Sequence, residues 1–445
     1  MAGSHRAQRG GGRAAAREAR RQQARKRNQT IAAGVAVVVL VGGGGVAALN
    51  AFGGDKTEGP KAGASGPADD KSTQSNVLAD DKLLLDAASA KTLGATGAWT
   101  VTGTAGGDDA PDTSFACQPQ RVADPAGLRT WVRTLQNSVT KETAVQYVDV
   151  SNDKTAAAKT YNLVVRWLSQ CSSPQTRLSA GYVTTGVGQA GVIAVFGQVP
   201  GAKTTKYRTV AVTLAGQATM VVEHDTVTAT PPRPDAVLKV ANAAAKKICA
   251  QTGGCGTGAA LAKPALLPNV DTPGFMAPAD LPLLPEVDKP WVSAPAQTGD
   301  GTGCEKLTLK KAKASKYSTV TYVAPGAKVP TEFGIDDTVV KFPTAAAATD
   351  YADKIRKNLD NCEKNVSNAQ TEGTGSVKTS TVTGKSWKAT YDSGDGKKFH
   401  YRIGVAGSGD RVVYLLYPVL KNLDITDAAF NETLVRAVDR SVVYK

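Results

Sequence analysis

Two stretches of the chain, TAAAKTYNLVVRWLSQC (155–171) and TAAAATDYADKIRKNLDNC (344–362), decide the fold. Each is an Ala-rich amphipathic segment that ends in a cysteine. Aligned on those cysteines, they place the same kinds of apolar residue at i, i+7, i+11 and i+14, which lie on one face of a helix. The aligned pairs are Ala157 with Ala348, Val164 with Ile355, Leu168 with Leu359, and Cys171 with Cys362. The pattern predicts two helices whose inner stripes end in buried cysteines.

A second cysteine precedes each helix at a similar distance. Cys117 lies 54 positions before Cys171, and Cys304 lies 58 before Cys362. The remaining pair, Cys249 and Cys255, is close enough to close a small local loop. An even cysteine count in an oxidising compartment indicates disulfides. With no CxxC motif and only three histidines, a metal site is not expected.

The N-terminal segment predicts that compartment. Residues 1–30 carry nine of the 53 basic side chains and one of the 39 acidic ones. Residues 31–52 carry no charge and, as a helix, would span roughly 33 Å, enough for a bilayer core. Basic residues stay cytoplasmic, so the rest of the chain is expected outside. The alternative is a cleaved secretion signal, with Val46-Ala47-Ala48 as the processing site.

The pattern along the chain predicts two similar α+β domains, each an antiparallel sheet with packed helices and a disulfide staple, behind one transmembrane helix. In each half a strand precedes the Ala-rich helix, a hairpin with a Gly turn follows it, and a helix ends it. The predicted segments are a basic tail (1–30), a transmembrane helix (31–52), a disordered linker (53–77), domain 1 (78–255), a Pro/Gly-rich linker (256–276) and domain 2 (277–445).

The sequence contains no motif that specifies a catalytic chemistry. There is no GxSxG elbow and no HExxH. His224 and His400 do not occupy matching positions, and His400 is expected to face solvent at the start of a strand. The pairs Asp336-Asp337 and Asp392/Asp395 stand in turn-like contexts, which explain them better than paired acid–base carboxylates. We therefore expect no enzyme, no cofactor and, since the charge excess lies in the tail, no nucleic-acid partner.

The aromatic residues are the best generic contact residues if a cleft exists, although core packing is their other use. The residues concerned are Trp99, Trp131, Trp167, Trp387 and Tyr391. Asn358 stands where the first half has Trp167, so the two halves are not expected to share one binding surface. Ligand-binding residues stay unknown at this point.

The order of elements resembles the extracellular sensor domain of PknH-type receptor kinases and related actinobacterial lipoproteins. The residues that carry the resemblance are LLL and LGATG, then a cysteine and a strand, then KTAAAKTYNLVVRWLSQC, and VVKFPTAAAATDYADKIRKNLDNC in the second half. It covers about 78–255 and 277–445 and implies a disulfide-stapled sheet with a ligand cleft. The chain departs from that family in having two copies and a cytoplasmic part too short for a kinase.

Together these features predict a single-pass cell-membrane protein with two extracytoplasmic sensor-like domains that bind a ligand or the cell wall. The alternative is an envelope scaffold that binds another protein and no small molecule. A concave pocket would favour the ligand, and a flat exposed apolar patch would favour the protein partner. An unrecognised enzyme is the third possibility.

Overall fold

This computed structural model describes two antiparallel sheets with helices packed on them. The described residues are 81–94, 96–122, 127–171, 176–198, 205–284, 287, 289–294, 303–309, 312–326, 328–330, 333–393 and 395–445. All of them except Pro330 belong to one compact unit. The α+β class is therefore confirmed at the level of two antiparallel sheets with helices and disulfides.

The first sheet has eight strands among the described residues. Its strands are β1 (Trp99–Gly106), β2 (Gly127–Asn137), β3 (Thr143–Ser151), β4 (Thr176–Thr185), β5 (Ala190–Gln198), β6 (Thr205–Ala215), β7 (Ala218–Thr228) and β8 (Leu261–Pro264). The helices of this half are α1 (Ala87–Ala90), α2 (Lys154–Gln170) and α3 (Asp235–Thr252). The strand order is β1-β2-β3-β7-β6-β5-β4-β8.

The second sheet has seven strands in the part of the chain that the structure describes. They are β9 (Val292–Ser293), β10 (Lys316–Val323), β11 (Gly334–Lys341), β12 (Ala369–Lys378), β13 (Thr383–Asp392), β14 (Lys398–Ser408) and β15 (Arg411–Val419). The helices are α4 (Ala345–Asp360), α5 (Cys362–Asn365) and α6 (Asp427–Ser441). The strand order, β12-β13-β14-β15-β11-β10-β9, repeats the order of β4-β5-β6-β7-β3-β2 in the first sheet.

Each sheet is covered by one long helix on each face. In the first half, Val164 and Leu168 of α2 pack on one face, whereas Val237 and Ile248 of α3 pack on the other. In the second half, α4 and α6 take the corresponding places. Because both faces are buried, the central strands are apolar on both sides rather than alternating.

The two Ala-rich helices begin and point inward as the sequence predicts. The side chain of Asp153 accepts from Ala156 N at 2.8 Å, and that of Thr344 accepts from Ala347 N at 3.2 Å, so both helices have an N-cap. The predicted stripe is buried in both helices, with no member more than 2% exposed. The predicted hairpins are β6–β7 and β14–β15, whose turns place Gly216 and Gly409 at positive φ.

All six cysteines are paired as expected. The disulfides are Cys117–Cys171, Cys249–Cys255 and Cys304–Cys362. The first and third tie a loop to the end of α2 and of α4. In the first half the same loop is also held by a buried carboxylate, since Ala116 N donates to Glu223 of β7 at 2.6 Å.

The segment 256–276, expected as a Pro/Gly-rich linker, is not a free spacer. Strand β8 within it pairs with Tyr182–Thr185 of β4 and extends the first sheet. Phe275 and Met276 then enter the core of the second half. The backbone is held because Asn269 Nδ2 donates to the carbonyls of Phe275 and Met276 at 3.1 and 2.9 Å. Composition alone missed this segment, whose polar backbone groups are satisfied by neighbours rather than by water.

The predictions for the N-terminus concern residues 1–77. The predicted transmembrane helix 31–52 lies outside the described residues, as do the tail and the linker 53–77. Within the described residues, no helix is both long and apolar enough to span a bilayer.

The prediction that Asp336-Asp337 lies in a turn is wrong, because both residues lie inside β11. Asp337 is tolerated there because Met276 N donates to its Oδ2 at 3.2 Å.

Candidate functional site

A groove of about 770 Å³ lies beside the linker segment. Three pieces of chain form it: β4, the stretch after β8, and the end of α6. Its lining residues are Ala180, Gly181, Tyr182, Pro264, Ala265, Leu266, Pro268, Asn269, Gly274, Asp439, Arg440, Val442 and Val443. We call this surface the junction groove. Its size falls within the range of about 300–1,000 Å³ that is typical of ligand pockets.

Close approach of two backbones shapes the floor of the junction groove. Ala265 N donates to Gly181 O at 2.9 Å. A Cβ added to Gly181 would lie 2.5 Å from the carbonyl oxygen of Ala265, so no other residue fits there without displacing the segment. The glycine in β4 therefore lets the linker lie flat against the sheet.

A buried network of ions holds α6 against the first half beside the junction groove. Arg440 donates to both carboxylate oxygens of Asp280, at 2.8 and 3.1 Å, and also to Leu267 O. Asp280 is fully buried. Because an unpaired buried charge is strongly destabilising, this pair commits the 267–280 segment to one position.

A second pair of ions extends the network to β4. Glu432 of α6 accepts from Arg177 at 3.1 Å and from Arg436 at 2.9 Å, and Arg436 also donates to Ser179 O. Burial alone would raise the pKa of Glu432, but Arg177 and Arg436 lower it below its usual value. Burial, together with Arg436, lowers the pKa of Arg177. The sheet of one half and the last helix of the other thus share a charge network in which the two arginines are largely buried and Glu432 is partly exposed.

One charged group of the junction groove differs from the others. Arg440 is paired with Asp280 and also donates to Leu267 O, whereas Asp439 has no hydrogen-bond or ion-pair partner among the described residues. Partial burial raises the pKa of Asp439 despite the nearby Arg436 and Arg440. The groove therefore offers apolar walls and a single available carboxylate.

A polar cleft of about 530 Å³ lies in the second half, at the ends of β12 and β13. Asn368 Nδ2 donates to Asp392 O at 2.6 Å across it. The side chains of Asp392 and Lys398 line it. Its walls are more polar than those of the junction groove.

The aromatic residues singled out from the sequence do not meet at one site. Trp99 and Trp387 are buried in separate cores, and Trp131 and Trp167 pack partly buried against the first half. Tyr391 Oη accepts from Cys304 N at 3.3 Å and so supports the disulfide loop. Asn358, the counterpart of Trp167, donates to Glu305 O at 3.0 Å. Sequence reasoning missed Tyr182, Val442 and Val443, whose letters carry no signal of a groove.

The two histidines differ as expected. His400 is exposed, and its Nδ1 lies 3.0 Å from Thr390 Oγ1. His224 is buried, with Nε2 3.3 Å from Glu142 Oε2. Burial lowers the pKa of His224, although Glu142 raises it.

The acidic residues do not form a catalytic pair or a metal site in the described residues. Asp395 accepts from Ser393 Oγ and from Lys397 N in the β13–β14 turn, as the turn reading predicts. Asp336 and Asp337 are consecutive in a strand and so point to opposite faces. No group of three His, Cys, Asp or Glu side chains suited to a metal ion occurs in the described ranges.

Comparison with known proteins finds only distant structural likeness. No protein family and no curated protein match the chain. The extracellular domain of PknH from Mycobacterium tuberculosis is similar at 14% identity, over 34% of this chain and 84% of that chain, with a TM-score of 0.26. A protein of unknown function with a hot dog fold from Alicyclobacillus acidocaldarius is similar at 12% identity, over 62% and 94%, with a TM-score of 0.09. The expected sensor-domain resemblance is thus met only as a distant likeness in fold.

Proposed function

We propose that this chain is a single-pass membrane protein whose extracytoplasmic part binds a ligand in the junction groove. The pairing of all six cysteines as disulfides is the observation that supports an extracytoplasmic location, because such bonds persist outside the reducing cytosol. The basic tail followed by the uncharged run 31–52 supports one span with the N-terminus inside. The proposal involves no catalysis, no cofactor and no nucleic acid.

The chemistry of the junction groove points to an apolar ligand that carries an amine or another strong hydrogen-bond donor. Tyr182, Leu266 and Val443 provide apolar walls, and burying the ligand against them supplies most of the affinity. Asp439 is the available charged acceptor in the groove. A carboxylate ligand would meet repulsion from Asp439 and no free cation, since Arg440 is already paired.

We further propose that the two halves are tandem copies of one domain that have diverged. Six strands have the same order in both sheets, and the helices lie at the same places between them. The proposed boundaries are 78–255 and 277–445. The ligand groove belongs to neither copy alone, because β4 and α6 come from different halves.

The groove proposal can be tested with octylamine, and octanoate as the matched anion. Full-length chain in lipid nanodiscs is titrated by calorimetry, with empty nanodiscs subtracted. Octylamine should bind, octanoate should bind at least about tenfold more weakly, and Asp439→Asn should weaken octylamine binding about tenfold by removing the carboxylate that accepts from its ammonium group. Glu372→Gln, at an exposed carboxylate of β12, serves as the control and should leave binding unchanged. Equal octylamine binding to wild type and Asp439→Asn would refute the groove.

An envelope scaffold is the second candidate, and one observation favours it. Val442 and Val443, which are consecutive and line the groove, are 55% and 57% exposed, so they present an apolar surface to a partner. A photo-reactive amino acid introduced at position 443 in cells distinguishes the scaffold from the ligand-binding protein. A protein-sized adduct that forms without any octylamine binding would favour the scaffold. Hydrolysis of peptidoglycan by the purified chain would contradict both.

A further inference from the structure

A second cavity, distinct from the junction groove, lies in the first half above the α3 face of the sheet. It has a volume of about 250 Å³ and is bounded by β6, β7, the turn before β3 and the start of α3. The residues that matter for its chemistry are Glu142, Thr209, His224, Thr226, Ala236 and Val237. The volume is smaller than that of typical drug-sized pockets, so only a small molecule fits.

Two buried hydroxyls in this cavity have no partner. Thr209 is 1% exposed and Thr226 is 8% exposed, and neither Oγ1 makes a hydrogen bond within the described part of the chain. Thr209 pairs across the strands with His224, and Thr226 follows His224 by two residues. All three side chains therefore share one face of the sheet. A buried hydroxyl without a partner costs free energy, so a ligand that bonds to it gains affinity.

The start of α3 supplies free backbone donors at one end of the cavity. The first intrahelical bond runs from Leu238 N to Pro234 O at 2.8 Å. The N–H groups of Asp235, Ala236 and Val237 precede it, and no side chain caps the helix. An uncapped N-terminus of an 18-residue helix attracts a carboxylate. The carboxylate of Asp235, in the first turn, does not take the place of that anion, because it pairs with Arg233 at 2.9 Å on the surface.

The other end of the cavity carries a negative charge. Glu142 is 24% exposed, and its hydrogen-bond partner there is the imidazole of His224. Burial lowers the pKa of His224, so at neutral pH the ring donates a hydrogen bond without cancelling the charge of Glu142. A simple anion would be repelled at this end, and a simple cation would be repelled by the helix start.

We propose that this cavity binds a small zwitterion, namely a free α-amino acid. Its carboxylate accepts from the N–H groups at the start of α3, and its ammonium group donates to Glu142. The hydroxyls of Thr209 and Thr226 add hydrogen bonds to the carboxylate, since only the apolar Cα separates it from the ammonium group. This site is independent of the junction groove.

Matched ligands test the two charged ends. Full-length chain in non-ionic detergent is titrated by calorimetry with glycine, L-alanine, L-serine, L-glutamate and L-lysine. We expect at least one of them to bind. Its N-acetyl derivative, which lacks the ammonium group, and its amide, which lacks the carboxylate, should each bind at least about tenfold more weakly. Absence of binding by all five, or equal binding of the blocked forms, would overturn the proposal.

Two substitutions test the residues. Glu142→Gln and the near-isosteric Thr209→Val should each weaken binding about tenfold. Thr213→Val, on the same strand but outside the cavity, should not change it. Unchanged affinity in Thr209→Val would contradict the role of the buried hydroxyl, even if Glu142→Gln folds poorly. Asp439→Asn should bind the amino acid normally, so failure of the groove and failure of this site are distinguishable.

Discussion

Single buried charges fix residues 267–280, where the chain passes from the first half to the second. Asp280 is fully buried and accepts from Ala277 N as well as from Arg440, so its carboxylate is satisfied only in the folded arrangement. A second buried aspartate, Asp337, accepts from Met276 N through Oδ2. The Oδ1 atom of Asp337 has no partner among the described residues. The first carboxylate is stabilised by a cation, and the second is not.

We predict that Asp280→Asn lowers the free energy of unfolding by about 3 kcal/mol. The change leaves the guanidinium of Arg440 buried without its counter-charge, which is more costly than losing an exposed pair. Urea denaturation of the full-length chain measures the difference. Asp439→Asn, which changes an exposed carboxylate of α6 without an ion pair, is the control and should cost less than about 0.5 kcal/mol. Equal effects of the two changes would contradict the network.

We predict a pH-dependent effect at Asp337. Its pKa is raised to about 8, chiefly by burial and to a smaller extent by Asp280, against the lowering effect of the hydrogen bond from Met276 N. The folded state therefore binds a proton that the unfolded state has released, so this contribution to stability is full below pH 3.8 and is lost as the pH rises towards 8.

Asp337→Asn, which mimics the protonated form, should remove this dependence. Its stability relative to wild type should rise by more than about 1 kcal/mol between pH 5 and pH 8.5. Denaturation curves at the two pH values give this difference. An unchanged gap between the two proteins would show that Asp337 does not titrate as described.

At the scale of elements, the disulfides and the β8 segment fix loops that propensity does not. The Cys117–Cys171 bond closes a loop of 54 positions, whereas Cys249–Cys255 closes one of six. On the chain-entropy model the longer loop contributes more, about 4 kcal/mol against about 2. The paired Cys→Ala variants of each bond should therefore differ in denaturation midpoint, with the 117/171 variant less stable. The opposite order would contradict the loop argument.

The close packing of the linker on β4 gives another prediction. Gly181→Ala should destabilise the protein by about 1–3 kcal/mol and weaken octylamine binding, because the added Cβ displaces Ala265 and distorts the groove floor. Gly373→Ala, in edge strand β12, is the control, since its Cβ would meet only the end of the Lys385 side chain. If both variants behave like wild type, the segment 264–268 is not held as described.

Much of the fold could be predicted at this scale, and the reasons are physical. The start of α2 at Lys154 and the burial of Leu168 follow from a cap and a 3.6-residue period. The position of β8 could not be predicted, because LAKP has no strand signal and pairs only where β4 offers an edge. The burial of Asp280 and Asp337 could not be predicted either, since Arg440 and Met276, which bind their carboxylates, lie more than 60 residues away in sequence.

The junction groove and the cavity at the start of α3 could not be predicted from sequence for a related reason. Val443 and Tyr182 become neighbours only after the two halves pack. Thr209 and Thr226 look like ordinary strand residues until the start of α3 is placed over them. The disulfide pairs, in contrast, were predictable because their spacing repeats along the chain.

At the scale of the whole molecule, the central claim is that residues after the predicted span lie outside the cytoplasm. Reporter fusions after Lys445 of the full-length chain test it most directly, with alkaline phosphatase and green fluorescent protein fused separately in a bacterial host. The account predicts active phosphatase and no fluorescence, because the three disulfides and the fused phosphatase all require an oxidising compartment. Inactive phosphatase with bright fluorescence would contradict it.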